Sequence, residues 1–179
     1  MNILVIIGIL IAIIGIILII LINQYNKLEW STILINKGET SINNALIKKY
    51  NILIRYLDFL KENKVDINED DYSKYQMLNL KQPINKLNIS IDEMNNLINH
   101  YMDNNEKLLK NTTIINLNKE IKDINITING GKKYYNDNLI MYNHLCNAFP
   151  SNIIAKIRHY KEKEFLDDEI KEELKILEE

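Results

Sequence analysis

Residues 112–150 read TTIINLNKEIKDINITINGGKKYYNDNLIMYNHLCNAFP, and the spacing within them decides the fold. Apolar side chains recur at Ile114, Leu117, Ile121, Ile124 and Ile128, then at Tyr135, Leu139, Tyr142, Leu145 and Phe149. Steps of three and four with polar residues between them belong to a helix with one buried stripe. Ile124 to Ile128 alternates, but it does so inside that helical series. Asn111 or Thr112 can cap the start, and Phe149-Pro150-Ser151 ends the run. A short helix, Asn152 to His159, is expected next, capped by Ser151 or Asn152.

Two similar seams lie upstream. Ile42, Leu46, Tyr50, Leu53, Leu57 and Leu60 form the first, and Ile84, Leu87, Ile91, Met94, Ile98, Tyr101 and Leu108 the second. Asn63 to Asp71 separates them, with Asp70 or Asp71 as the expected N-cap. Gln82-Pro83 either kinks the second helix or restarts it, since proline suits a first helical turn. Asn104 to Thr113 is another polar connection. No proline stands between Ile22 and Lys64, so the first helix can run on from the segment before it.

That segment, Ile3 to Ile22, is twenty apolar residues without a charge or a proline. As a helix it spans about 30 Å, the thickness of a bilayer core. Only Met1 and Asn2 precede it, and Asn-Gln-Tyr-Asn follows, so neither end resembles a cleaved signal peptide. It reads as an uncleaved anchor. Gly8, Ala12 and Gly15 share one face; they either let two anchors pack into a homo-oligomer or simply face lipid. Lys27, Lys37, Lys48 and Lys49 all follow the span, which puts the bulk of the chain in the cytoplasm and the N-terminus outside. Tyr25 suits the membrane interface, whereas Trp30, about 12 Å past Ile22, is expected to pack in the soluble part.

The fold class is therefore all-α: an N-terminal transmembrane helix followed by a long antiparallel bundle of four-helix type. The divisions are 1–24 for the anchor, 25–160 for the bundle and 161–179 for an acidic tail or helix. Asp167 to Glu179 holds seven acids and two bases.

Composition narrows the function. With 22 Lys plus Arg against 24 Asp plus Glu, the chain lacks the basic balance of a nucleic-acid binder. One cysteine excludes a disulfide framework, and five glycines with two prolines argue against phosphate-binding loops. The 35 Ile and 27 Asn among 179 residues are the bias of an AT-rich genome, so the Asn-x-Ser/Thr triplets at Asn88, Asn111 and Asn125 read as chance. His100, His144 and His159 stand apart, and no helical Glu-x-x-His pair suggests a di-metal site. Cys146 has no evident base and reads as a buried thiol. No catalytic residue, metal ligand or cofactor is expected. Tyr135, Tyr142 and Phe149 recur every seven residues and read as core aromatics; the competing reading is a polar-aromatic strip that docks a peptide or protein. Lys132 and Lys133 read as a solvated face.

Several of these residues resemble the LemA family. Its C-terminal signature pairs two Tyr-Asn dipeptides seven apart with Phe-Pro-x-Asn, two apolar residues and Ala. Here these are Lys132-Lys133-Tyr134-Tyr135-Asn136, Tyr142-Asn143 and Phe149-Pro150-Ser151-Asn152-Ile153-Ile154-Ala155, with Phe165 as the aromatic beyond. Tyr25-Asn26 follows the anchor as in the family, and Leu46 to Leu57, including Tyr50, keeps the character of its N-terminal stretch. The family's Ile-Pro-Asn is replaced by Leu53-Ile54-Arg55, and Gly130-Gly131 replaces a helix-favouring pair. The resemblance implies one anchor in a bacterial cell membrane and a long-helix bundle without known enzymatic activity. It also implies a protein partner, a membrane protease among the candidates, and a role near membrane protein quality control. An extracytoplasmic sensor or envelope-binding module is the alternative.

Overall fold

A computed structural model describes residues 3–166, and those residues contain helices and no strand. The acidic segment expected over Asp167 to Glu179 lies outside the described residues. Helix α1 runs unbroken over Ile3–Glu62, 60 residues, so the apolar span and the first seam are one helix about 90 Å long. The eighteen-residue windows at its start are apolar enough to cross a membrane, and none of that span is buried within the protein. Helix α2 covers Glu69–Gln76, α3 Ile84–Asp103, α4 Thr112–Asn147 and α5 Ser151–Ile157, with a 3-10 turn at Glu106–Lys110.

Local chemistry sets these boundaries. Asn68, rather than Asp70 or Asp71, caps α2: its Oδ1 accepts from the Asp70 amide at 2.8 Å. Three acids follow in the first turn of α2, where the helix dipole favours them. Pro83 stands immediately before α3, so the proline restarts a helix and does not kink one. The Asn111 Oδ1 accepts from the Thr113 amide at 2.8 Å and opens α4 as expected. No side chain caps α5; Ser151 instead donates its hydroxyl to the Ala148 carbonyl at 2.8 Å.

The chain divides into two compact units, and both long helices contribute to each. Gly38–Lys133 forms one. Its core is the first seam, Ile42, Leu46, Leu53, Leu57 and Leu60, against Leu87, Ile91, Met94 and Ile98 of α3 and Ile114, Leu117 and Ile128 of α4. Each buried aliphatic side chain contributes roughly 1.5–3 kcal/mol of transfer free energy. Within this unit α1 and α4 are antiparallel: Gly131 meets Ile42, and Arg55 forks onto Glu120 at 2.8 and 3.2 Å. Lys49 is buried and donates to Asp92 at 2.9 Å; Asp92 also accepts from Asn88 at 2.9 Å. The Tyr50 hydroxyl donates to the Tyr75 carbonyl at 3.0 Å and ties α1 to the end of α2.

The other unit joins residues up to Lys37 with those from Tyr134 onward. Leu28, Ser31 and Ile35 of α1 are buried, as are Tyr135, Leu139, Tyr142, Leu145 and Cys146 of α4 and Ala155 of α5. Two expectations fail here. Trp30 is 61% exposed instead of packed, because Leu28, Ser31 and Ile35 take the inward positions on that part of α1. Phe149 is 81% exposed and is not a core aromatic, since α4 has already ended at Asn147 and the chain has left its helical path.

The glycine pair shows where backbone approach matters. A Cβ on Gly131 would lie 2.9 Å from Ile42 Cγ1, whereas one on Gly130 would meet open space. Gly130→Ala should therefore raise stability by roughly 0.5–1 kcal/mol through helix propensity. Gly131→Ala should gain less, because Ile42 must shift. Thermal melts of the full chain in detergent, followed by circular dichroism, compare the two.

Candidate functional site: a tyrosine–asparagine strip holding the C-terminal strap

After α5 the chain turns at Arg158 and His159, and residues 161–166 adopt no helix. The sequence assigns 161–179 to an acidic tail or helix, of which 161–166 are described. Those six residues lie as a strap along α4, and the two Tyr-Asn pairs hold them. The Tyr142 hydroxyl donates to the Lys161 carbonyl at 2.9 Å, and the Tyr135 hydroxyl donates to the Glu164 carbonyl at 3.3 Å. Asn143 makes two bonds to one strap residue: its Nδ2 donates to the Lys163 carbonyl at 2.9 Å, and its Oδ1 accepts from the Lys163 amide at 3.1 Å. Asn136 Oδ1 accepts from the Leu166 amide at 3.4 Å. Asn147 adds a side-chain bond to Glu162.

The register follows from two repeat lengths. Seven helical residues rise about 10.5 Å, and three extended residues span about 10 Å. Moving back one heptad from Tyr142 to Tyr135 moves the partner forward three residues, from Lys161 to Glu164. Asn143 and Asn136 shift from Lys163 to Leu166 in the same way. The strap therefore runs antiparallel to α4, and the heptad-spaced dipeptides read it at every third residue. All four motif side chains bond to main-chain atoms of the strap, whereas Asn147 reaches a strap side chain, that of Glu162.

A second cluster fixes the strap's start. Glu29 on α1 accepts from the Tyr25 hydroxyl at 3.0 Å and from the Tyr160 hydroxyl. The Arg158 guanidinium lies 5.6 Å from the centre of the Tyr25 ring. Tyr142 and Tyr160 meet edge to face, with ring centres 6.5 Å apart. The Tyr160 bond, then the Tyr25 bond, holds the Glu29 carboxyl below its ordinary 4.5. Burial, followed by Glu29, pushes the Tyr160 phenol up to about 12, and burial raises Tyr142 further.

The remaining predicted residues scatter. Tyr50 serves the α1–α2 contact described above. Lys132 is half-buried and Lys133 exposed on α4, Asn26 is exposed, and Phe165 is half-buried within the strap. Pro150 and Ala155 position α5, and Asn152 places a buried Oδ1 where it finds no hydrogen-bond partner among the described residues. Cys146 is buried, and burial raises its thiol pKa. Gly8, Ala12 and Gly15 lie on the unburied span between Ile3 and Ile22. Lys48, Arg55, Glu120 and Asp123 line an open groove of about 420 Å³ between α1 and α4, where Arg55 and Glu120 satisfy each other. Sequence reasoning missed Lys49 and Glu29. Lys49 had a signal, because it lies beside the seam residue Tyr50, three residues after Leu46 and four before Leu53.

These features define a helical protein with one N-terminal helix long and apolar enough to span a membrane, and a C-terminal strap clamped by a tyrosine–asparagine strip. The chain belongs to the LemA family, whose model matches residues 62–176, from the end of α1 through α5 and the strap. Neither the curated proteins nor the solved structures include a match to it.

Two outcomes follow. Asn143→Ala removes both bonds to Lys163, and loosening of about 1.4 kcal/mol should speed tryptic cleavage after Lys161 and Lys163 by about tenfold. Timed digestion of the full chain in detergent measures this. Glu29 has a lowered folded pKa, so its contribution to stability is present above 4.5 and is lost as the pH falls through the folded value. The melting temperature of Glu29→Gln should therefore lie below that of the native chain at neutral pH, and the gap should close under acid.

Proposed function

We propose that the protein is a membrane-anchored, non-enzymatic interaction module of the LemA family. On this reading the Ile3–Ile22 span holds it in a bacterial cell membrane, with the N-terminus outside and the helical units in the cytoplasm. Its partner is another membrane protein, with a membrane protease as the first candidate, and the role is in membrane protein quality control. One observation carries the reading: the two Tyr-Asn dipeptides of the family signature form a strip whose bonds go to main-chain atoms of a non-helical segment. Such a strip suits recognition of polypeptide more than chemistry on a small molecule. The lysines after the span, Lys27 and Lys37 nearest to it, support the cytoplasmic placement.

Topology is tested by a tag placed after Glu179 and protease added to intact cells. The tag should survive until the membrane is permeabilised. Its loss from intact cells would reject the cytoplasmic placement and favour an envelope-facing sensor. The interaction is tested with a photo-crosslinking residue at the exposed Met141 on α4 of the full chain. It should capture the same membrane proteins reproducibly, and repeated failure to do so would count against a scaffold role.

A further inference from the structure

The end of α4 and the outer side of α5 carry apolar surface that the protein leaves uncovered. Phe149 is 81% exposed, Ile157 66% and Ile153 41%. Ile153 and Ile157 stand one helical turn apart on α5, and Phe149 lies just before its start. Ser151 and Ala155, also one turn apart, are buried on the other side. So α5 has an inner face fixed to its unit and an outer face of large apolar side chains.

The position of this face identifies what covers it. Arg158, immediately after α5, lies 5.6 Å from the Tyr25 ring, and Tyr160 bonds to Glu29. Tyr25 is three residues past Ile22, about 4.5 Å along α1, and Glu29 about 10.5 Å. A bilayer has a core of about 30 Å within a total of 40–45 Å, so its headgroup layers are each roughly 5–8 Å deep. The Tyr25–Arg158 contact therefore falls within the headgroup layer that surrounds the span, and α5 lies beside it. Lys156 and Arg158, which flank Ile157 in sequence, and Lys161 are exposed; the exposed acids Glu162 and Glu164 come only further along the strap. Apolar side chains flanked by cations fit the boundary between acyl chains and anionic headgroups. A second copy of the chain would bring the same cations face to face.

We propose that Phe149, Ile153 and Ile157 form a second membrane contact beside the anchor, entering the interface of an anionic bilayer while Lys156, Arg158 and Lys161 meet its phosphates. The contact rests on the reading that Ile3–Ile22 crosses the bilayer. It gives the protein two points of attachment, one spanning and one interfacial, and thereby fixes the strap's start at the membrane surface.

Depth-dependent quenching tests this in the full chain. In a Trp30→Phe background, Phe149→Trp provides one reporter and Ile6→Trp, within the span, provides another. Each is reconstituted into phosphatidylcholine–phosphatidylglycerol vesicles with and without brominated acyl chains. Bromolipid should quench both indoles about twofold or more, as expected for side chains buried 5–10 Å into the boundary or deeper. Adding Ile153→Asp and Ile157→Asp should relieve quenching at position 149 and leave helical circular dichroism unchanged. An indole at position 149 that is unquenched while the one at position 6 is quenched would overturn the second contact and leave the anchor standing. A blue-shifted but unquenched indole at 149 would show a protein cover, such as a second copy, and would also overturn it. Absence of quenching at both positions would overturn the anchor and the second contact together.

Discussion

Helix α1 constrains everything else. Its 60 residues form one rod, and an isolated helix of that length in water would expose two different apolar surfaces. Over the first third, isoleucine and leucine cover every side, and nothing among the described residues buries them. An apolar surface of that extent is consistent with anchoring in a membrane. Beyond it the apolar residues collapse to one stripe, which α3 and α4 cover in the Gly38–Lys133 unit. The change from all-round to one-sided hydrophobicity falls within α1, without a break in its helical hydrogen bonding.

The Tyr-Asn strip solves a different problem, that of fixing an extended segment to a helix. An extended chain presents peptide N–H and C=O groups that a helix backbone cannot satisfy, because its own are already paired. Side chains must supply the missing partners. Asparagine carries one acceptor and one amide donor in the same plane, so Asn143 can imitate a neighbouring strand and bind both main-chain groups of Lys163. An aspartate would lose the donor and a leucine both groups. The tyrosines add reach: their rings are buried in the unit while their hydroxyls meet strap carbonyls. The match of seven helical residues to three extended ones lets the same dipeptide work twice.

Periodicity made the helices legible, and its limits explain what was not. Ile42, Leu46, Leu53, Leu57 and Leu60 are all buried where the spacing put them, because a long seam covered along its length has no other solution. Ile121 and Ile124 are only half-buried, and Phe149 not at all, because spacing cannot say where the covering elements stop. Trp30 misled for a related reason, since one large aromatic says nothing about which side of a helix is covered. The strap had no period to detect. Its trace in the sequence was indirect: two Tyr-Asn dipeptides a heptad apart place asparagines beside a seam, where they need partners. Lys49 stands beside the seam residue Tyr50 at helical spacing from Leu46 and Leu53, and Asp92 receives its charge.

The bonds along the strap are graded, and the gradient has a direction. At its start, Tyr160 meets Glu29 and Tyr142 takes the Lys161 carbonyl at 2.9 Å. In the middle, Asn143 makes two good bonds. At the far end, the Tyr135 contact lengthens to 3.3 Å and that of Asn136 to 3.4 Å. Asn136 is 1% exposed, yet its Nδ2 finds no acceptor among the described residues. A buried amide with an unused donor costs about 1–3 kcal/mol, which weakens the net grip at Leu166. Among the described residues the grip is therefore firmest around Asn143 and weakest at Leu166.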